Sequence, residues 1–236
     1  MRKQKQQTKV QTMNQTLQSE AWVIIPAHNE AERIVKVIEK TKQHVQNIIV
    51  VDDGSSDNTY EISRHQDVIV LKHAINIGKG AALKTGCDFA TKKGAKIMIS
   101  IDADGQHNPE EIPNFIREIK KGNDIVFGYR QMSKKMPFIF RFGNNFINRI
   151  TKYIYKIDMK DTQCGYRAFT ADAYKKIRWQ SQSYEMESEM IANAGKHNLK
   201  YKEVPIQTIY ADKYKGTTII DGIKIVLKMF WWKFKK

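Results

Sequence analysis

Two aspartates separated by one residue, Asp102 and Asp104, carry the strongest chemical signal in this sequence of 236 residues. They directly follow the segment 96–101, whose apolar composition is typical of a buried strand. In an extended backbone, residues two apart point to the same side, so both carboxylates can face one cleft. Such oxygen ligands suit a divalent cation like Mg²⁺, which binds one or two carboxylates together with substrate phosphates. The competing interpretation is an Asp-rich turn that merely ends a strand.

Composition limits the classes of protein to consider. The chain is 41% hydrophobic, enough for a packed core, and its formal net charge of +15 implies an anionic partner such as nucleic acid, acidic lipid or a phosphorylated substrate. Cys87 and Cys164 lie far apart, which predicts neither a disulfide framework nor a zinc site and favours a reducing cytoplasm. No run approaches the roughly 20 apolar residues that would span a bilayer.

The order of apolar segments predicts an α/β fold. Residues 1–19 are polar and basic, and we expect them to be disordered. Beyond them, strand-like and helix-like segments alternate, which predicts a mainly parallel sheet covered by helices. The predicted strands are 22–25, 47–51, 68–71, 96–101 and 124–127, and the predicted helices are 31–44, 57–65, 79–93 and 109–121. Segments 138–156 and 184–197 look helical and 201–209 looks extended; without a Pro/Gly/Ser linker, we assign 20–218 to one domain.

Further polar motifs follow the predicted strands. Pro-Ala-His-Asn-Glu occupies 26–30, Asp-Asp-Gly-Ser-Ser-Asp occupies 52–57, and Asn-Ile-Gly-Lys-Gly occupies 76–80. Ligands of open α/β sheets bind beyond the carboxyl ends of the strands, where carboxylates can accept hydrogen bonds from a ribose or a base. Asn29 and Asp57 are also good helix N-caps, a role compatible with binding. The segment 76–80 is not a Walker loop, but it opens a helix whose first amides and Lys79 favour an anion.

Taken in order, these motifs and Asp-Ala-Asp-Gly-Gln-His at 102–107 resemble the family-two glycosyltransferases with a GT-A fold. The segments 128–130, 161–169 and 184–190 are similar to the branch that includes dolichyl-phosphate mannosyl- and glucosyltransferases. The resemblance implies a nucleotide-sugar-binding GT-A fold. It also implies inverting transfer of mannose or glucose, from GDP-mannose or UDP-glucose, to dolichyl or polyprenyl phosphate.

The resemblance also assigns roles to single residues. Asp102, Asp104 and Gln106 would hold Mg²⁺ or Mn²⁺ against the diphosphate, where the metal offsets charge on the departing nucleoside diphosphate and makes Asp104 catalytic. The residues expected to bind the nucleotide sugar are Pro26, His28, Glu30, Val51, Asp53, Lys79, Asp102, Ala103 and Lys213. One departure is Ile219, where many relatives carry a lysine after the closing loop 212–218.

A phosphate acceptor needs positioning and charge neutralisation more than a strong base. Between Arg130 and Lys160 there are eight Lys or Arg residues and one acid, Asp158. The resemblance places Arg130 and, less directly, Arg141 on the acceptor phosphate and counts them as catalytic. A solvated basic face is the alternative interpretation.

The segment 219–236 predicts an amphipathic helix on a membrane surface. Its apolar face is flanked by lysines that can meet anionic headgroups, although the same face could pack on the protein core. The apolar face comprises Ile220, Ile223, Leu227, Phe230 and Phe234. The expected partners are a nucleotide sugar, a polyprenyl phosphate lipid and the membrane surface, and a membrane protein subunit is left open. We expect a peripheral location on the cytoplasmic face.

Other functions remain open at this stage. Transfer to a saccharide or glycolipid hydroxyl would need a base, which Glu187 or Glu189 could supply. A nucleic-acid-binding module would explain the net charge, but the chain lacks the aromatic strand signature of an RNA-recognition sheet and lacks a zinc finger, so we expect no nucleic-acid partner. A non-catalytic nucleotide-binding protein is the third possibility.

Overall fold

The structure, a computed structural model, describes residues 20–130 and 148–207. Its strands are β1 Ala21–Ala27, β2 Asn47–Asp52, β3 Ile69–Lys72, β4 Ile97–Ser100, β5 Ile125–Arg130, β6 Arg167–Thr170 and β7 Tyr201–Ile206. Its helices are α1 Ile34–Lys42, α2 Thr59–Arg64, α3 Lys79–Lys92, α4 Ile112–Lys120, α5 Ala171–Ile177 and α6 Met186–Lys196. A 3₁₀ turn, Pro109–Glu111, precedes α4, and residues 148–155 are helical.

The seven strands form one sheet in the order β3-β2-β1-β4-β6-β5-β7. β6 is antiparallel to both of its neighbours, and the other pairs in this sheet are parallel. The predicted mainly parallel α/β fold is thus confirmed. Ala27 pairs with Asp52, so β1 and β2 end side by side and bring their polar motifs to one edge of the sheet.

β6 is the strand that the sequence analysis did not predict. It has only four residues, Arg-Ala-Phe-Thr, which is too short for a clear alternation of polar and apolar side chains. It lies between β4 and β5 and pairs Arg167 with Ser100. The loop that leads into β6 therefore ends beside Asp102.

Both faces of the sheet are buried. Along β1, Val23 and Ile25 pack in one cluster with residues of α1 and α4, whereas Ile24 packs in a second cluster with residues of α3. This two-residue alternation is what a strand covered on both faces requires, and it explains why the strand segments read as continuous apolar runs.

A polar cluster fastens α3 to the end of α5. Asp88 accepts hydrogen bonds from the Tyr174 hydroxyl at 2.6 Å and from two Arg178 nitrogens at 3.1 and 2.7 Å. Partial burial alone would raise the pKa of Asp88, but the hydrogen bonds from Arg178 and Tyr174 lower it. This cluster holds α3, whose first residue is Lys79.

The Arg178→Ala variant should therefore be less stable, and the loss should depend on pH. Because the pKa of Asp88 is lowered in the folded state, its contribution is present above the unfolded value near 4 and fades as pH falls through the folded pKa. Arg178 is half exposed, so we expect a loss of about 1 kcal/mol at pH 7. Urea unfolding at pH 7 and pH 3 measures it. An equal loss at both pH values would contradict the assignment, and Lys175→Ala, in an exposed pair with Asp172, is the control.

Several predicted features lie outside the described residues: the basic segment 1–19, Arg141, Lys213 and the amphipathic helix 219–236. The proposed domain boundaries accordingly stay predictions. Among the helices that the structure describes, none combines the length and the apolar character needed to cross a bilayer.

Candidate functional site

The loops after β1 and β2 are fastened to each other by side chains of their polar motifs. Asn29, in the left-handed region at φ 55°, accepts hydrogen bonds from the amides of Ser56 and Asp57 through Oδ1. Asp57 in turn accepts from the amides of Thr59 and Ala31, at 2.9 and 3.1 Å. The N-cap residue of α2 is Asn58 and that of α1 is Arg33, so neither Asp57 nor Asn29 is the N-cap that the sequence predicts. Asp57 instead accepts from the first helical amide, that of Thr59, and Asn29 binds the loop after β2.

His28 and Asp53 line the junction of these loops. The His28 ring donates from Nδ1 to the carbonyl oxygen of Asp53 at 2.9 Å. The Asp53 carboxylate is almost fully buried and accepts from the amides of Ile77 and Gly78, at 3.0 and 2.7 Å, and pairs with His73 Nδ1 at 2.7 Å. Asp53, predicted to contact the nucleoside, therefore fixes the loop that leads into α3. His73 was not predicted, although its position just after a strand could have indicated it.

Not every residue predicted for the nucleoside pocket reaches the cleft. The side chain of Val51 is fully buried in the core beneath α3, and Ala103 is also buried. Both can contribute only backbone atoms to a pocket. Pro26 is buried in β1, and Glu30 is buried beside Arg33, whose guanidinium lies 2.8 Å from it.

The Asp-Ala-Asp motif forms a tight turn after β4. The amide of Asp102 donates to His107 Nδ1 at 3.2 Å, and the amide of Gln106 donates to Asp104 Oδ1 at 2.9 Å. Burial and the neighbouring charge of Asp102 raise the pKa of Asp104. Two carboxylates that repel each other in a partly buried turn are a place where a cation is favoured.

Lys79, the first residue of α3, meets this turn. Its ammonium lies 2.7 Å from Asp102 Oδ1 and 3.1 Å from Glu187 Oε1, with 17% of the side chain exposed. Burial alone would lower the pKa of Lys79, but the charges of Asp102 and Glu187 raise it. Lys79 was predicted to bind the nucleotide sugar, and the structure places it between two carboxylates. Glu187 was considered only as a base, and its partnership with Lys79 crosses 108 residues of sequence, so no local pattern could reveal it.

Arg130 ends β5 on the same edge of the sheet. Its guanidinium makes two hydrogen bonds to the carboxylate of Asp161, at 2.7 and 3.1 Å, and its side chain remains 20% exposed. Burial would raise the pKa of Asp102, but Lys79 and, more weakly, Arg130 lower it. The predicted acceptor-phosphate arginine thus lies within electrostatic reach of the carboxylate turn.

Among the described residues there is no group of three or more His, Cys, Asp or Glu side chains that could hold a metal ion. Asp102 and Asp104 nevertheless supply the one or two carboxylates that Mg²⁺ takes when substrate phosphates complete its shell. The raised pKa of Asp104, caused by burial and by Asp102, fits such a cation. Gln106 is on the same turn. The residues therefore suit a metal bound together with a phosphorylated ligand.

Gly165 closes the space above Lys79 and Asp102. A Cβ atom there would lie 2.7 Å from Lys79 Nζ and 3.1 Å from both Asp102 carboxylate oxygens. The Gly165→Ala variant should fold normally, since the crowded lysine end can move, but should displace the ammonium from Asp102. Changes around metal ligands typically cost about 10–100-fold in affinity or activity, and we expect Mn²⁺ to bind roughly tenfold more weakly. Calorimetric titration of Mn²⁺ and thermal melting measure the effect. Unchanged Mn²⁺ affinity, or a loss explained by unfolding, would contradict it.

Comparisons with known proteins agree on one family. Residues 22–178 match the family model described as Glycosyl transferase family 2. An uncharacterized protein of Methanocaldococcus jannaschii is 41% identical over 227 residues, covering 92% of this chain and 93% of that protein. The UDP-N-acetylglucosamine–dolichyl-phosphate N-acetylglucosaminyltransferase of Methanococcus voltae is 36% identical over 242 residues, covering 91% of this chain and 96% of that protein.

The fold is similar to that of a solved enzyme. Glucosyl-3-phosphoglycerate synthase from Mycobacterium tuberculosis, in complex with Mn²⁺, UDP and phosphoglyceric acid, superposes with a TM-score of 0.73. The match covers 92% of this chain and 80% of that chain at 14% sequence identity, so it concerns the fold alone.

Proposed function

Since this chain belongs to glycosyl transferase family 2, as its sequence motifs predicted, we propose that it transfers a sugar from a nucleotide sugar to a polyprenyl phosphate such as dolichyl phosphate. The observation that carries the proposal is the carboxylate turn of Asp102 and Asp104 lying among Lys79 and Arg130. An enzyme that joins two phosphorylated substrates needs carboxylates that bind a cation and, beside them, an arginine that binds the second anion.

The donor would lie across the loops after β1 and β2. His28, Glu30 and the backbone near Pro26, Val51, Asp53 and Ala103 would surround the nucleoside. Asp102, Asp104 and Gln106 would hold Mg²⁺ or Mn²⁺ on the diphosphate, and Lys213 would contact its phosphates. When bound, the metal would supply Lewis-acid stabilisation of the negative charge on the leaving nucleoside diphosphate. The Mn²⁺ and UDP bound by the mycobacterial synthase support this choice of ligands.

The acceptor would enter beside Arg130. A phosphate oxygen of the lipid attacks the anomeric carbon, the new carbon–oxygen bond forms, and the bond to the nucleoside diphosphate breaks from the opposite face. The configuration at the anomeric carbon is inverted. Near neutral pH the acceptor phosphate is already ionised, so no side chain has to take a proton from it. Arg130, with Arg141 as a second contact, neutralises and orients this nucleophile.

The structure favours a phosphate acceptor over a hydroxyl acceptor. A hydroxyl nucleophile needs a carboxylate base. Both oxygens of Glu189 accept from backbone amides, those of Gln180 and Ser181, each at 2.9 Å. Glu187 is 2% exposed and is paired with Lys79. Neither carboxylate is presented as a base, whereas Arg130 lies at the same edge.

Three sugars deserve testing. The sequence resemblance implies mannose or glucose, and the relative from Methanococcus voltae, named for N-acetylglucosamine, adds a third. The test incubates the full chain with Mg²⁺ or Mn²⁺, a polyprenyl phosphate, and GDP-mannose, UDP-glucose or UDP-N-acetylglucosamine in turn. Mass spectrometry of the lipid and assay of released nucleoside diphosphate identify the donor. If none of the three sugars reaches the lipid while a saccharide hydroxyl is glycosylated, the acceptor proposal is wrong.

Because a polyprenyl phosphate lies in a membrane, a protein that uses it as acceptor must act at the membrane surface. We propose that the chain works at the cytoplasmic face with segment 219–236 in the lipid interface, alone or with a membrane protein subunit. Support comes from the basic, amphipathic sequence of that segment. Binding of the full chain to vesicles containing anionic lipid, compared with a chain ending at residue 218, tests this proposal.

A further inference from the structure

We propose that Glu187 is a positioning residue that acts through Lys79 on the metal-binding carboxylate of Asp102. The proposal rests on the proposed function, because it concerns the metal that the donor diphosphate would bring. It assigns to Glu187 and Lys79 the task of aiming one oxygen of Asp102 into the cleft.

The two carboxylate oxygens of Asp102 have different surroundings. Oδ1 is paired with Lys79 at 2.7 Å. Oδ2 lies 3.8 Å from His107 Nδ1, but that nitrogen accepts the amide of Asp102 and cannot also donate. His107 therefore does not hold Oδ2; Oδ1 is buried, whereas 22% of the Asp102 side chain is exposed. With Oδ1 held by Lys79, Oδ2 is the oxygen presented to a cation.

Lys79 is held between the carboxylates of Asp102 and Glu187. An ammonium 2.7 Å from a metal-binding carboxylate competes with the metal for that carboxylate unless a second anion draws it away. Glu187 Oε1, 3.1 Å from the ammonium, is that anion. The other oxygen, Oε2, is buried and has no hydrogen-bond partner among the described residues. The charge of Glu187 acts on Lys79 and also on the buried guanidinium of Arg167, but the hydrogen bonds of that guanidinium go to backbone carbonyls, so Lys79 is the cation at the Glu187 carboxylate.

The backbone of Glu187 is held in place by Arg167. The buried guanidinium of Arg167 donates to the Glu187 carbonyl at 2.6 Å, to the Thr162 carbonyl at 2.9 Å and to the Cys164 carbonyl at 2.9 Å. These bonds connect β6, the loop before it and the first turn of α6. Glu187 is consequently fixed to the sheet, and Lys79 is held at a set distance from β4.

The expected result concerns Mn²⁺ affinity, measured by calorimetric titration with saturating UDP and, in parallel, GDP. In Glu187→Gln, Lys79 keeps only Asp102 as an anionic partner and competes better with the metal, so Mn²⁺ should bind about tenfold more weakly. In a Lys79→Gln background the same change at Glu187 should alter the affinity less than about twofold, because the intermediary is gone. Glu118→Gln, which removes a carboxylate paired with Lys121 on α4, should leave Mn²⁺ binding unchanged.

Two outcomes in the variants would overturn the inference: unchanged Mn²⁺ affinity in Glu187→Gln, or the same loss whether or not Lys79 is present. Thermal melting of each variant separates these results from unfolding. The proposed function is tested separately. A wild-type chain that binds Mn²⁺ but transfers no sugar to lipid would contradict the proposed function and leave the inference about Glu187 standing. Failure of the wild-type chain to bind Mn²⁺, in the presence of UDP and also in the presence of GDP, would overturn the inference as well.

Discussion

The Asp104→Asn variant should lose about a thousandfold in sugar transfer, since about 4 kcal/mol of transition-state stabilisation is a reasonable share for a bound metal. Asparagine keeps the shape of the side chain and its acceptor oxygen for the Gln106 amide, at 2.9 Å in the wild type. What it removes is the negative charge. Burial and Asp102 raise the pKa of Asp104, so removing this charge relieves repulsion within the turn and should not destabilise the fold.

The loss should appear in metal binding as well as in turnover. Titration of Mn²⁺ in the presence of UDP or GDP should show weaker binding to Asp104→Asn than to wild type. The matched control is Asp172→Asn, which neutralises an exposed carboxylate paired with Lys175 on α5. Full activity of Asp104→Asn, or activity that survives a chelator in the wild type, would show that the carboxylate turn has another task.

The sequence could predict the elements that are long and periodic. β1, β2 and α3 carry continuous apolar or helical patterns, and the polar motifs after β1, β2 and β4 meet because parallel strands end at the same edge. β6 could not be predicted in this way. Four residues give no periodicity, and its place between β4 and β5 is decided by long-range packing.

The same distinction separates the site residues. Asp102 and Asp104 are separated by one residue in sequence, so their type and spacing suggest a cation site, which stays a prediction. For Val51 the sequence does not distinguish side chain from backbone; the structure places the side chain in the core beneath α3, and the role of Val51 in the pocket stays a prediction. The pairs of Lys79 with Glu187 and of Arg130 with Asp161 join distant parts of the chain, and only the folded structure shows that each cation already has an anionic partner.

The Arg130→Lys variant should reduce kcat/KM for the polyprenyl phosphate by about a hundredfold, equivalent to about 2.7 kcal/mol. Lysine keeps the positive charge but cannot reproduce the planar fork that makes two parallel hydrogen bonds. In the wild type that fork binds Asp161 at 2.7 and 3.1 Å, which orients the guanidinium at the end of β5. Lysine is a safer substitution than alanine, because alanine would leave the buried Asp161 carboxylate without its cation.

The contrast between the two substrates makes this prediction specific. Arg130→Lys should leave the KM for the nucleotide sugar nearly unchanged, because we propose that the loops after β1, β2 and β4 hold the donor. Steady-state kinetics with each substrate varied in turn measures both constants, and Arg117→Lys on α4, an exposed arginine bonded to Asn114, is the control for the same substitution. Equal losses of kcat/KM for donor and acceptor would instead mean that Arg130 acts on the whole site, through the charge by which it lowers the pKa of Asp102. The acceptor phosphate would then need another partner.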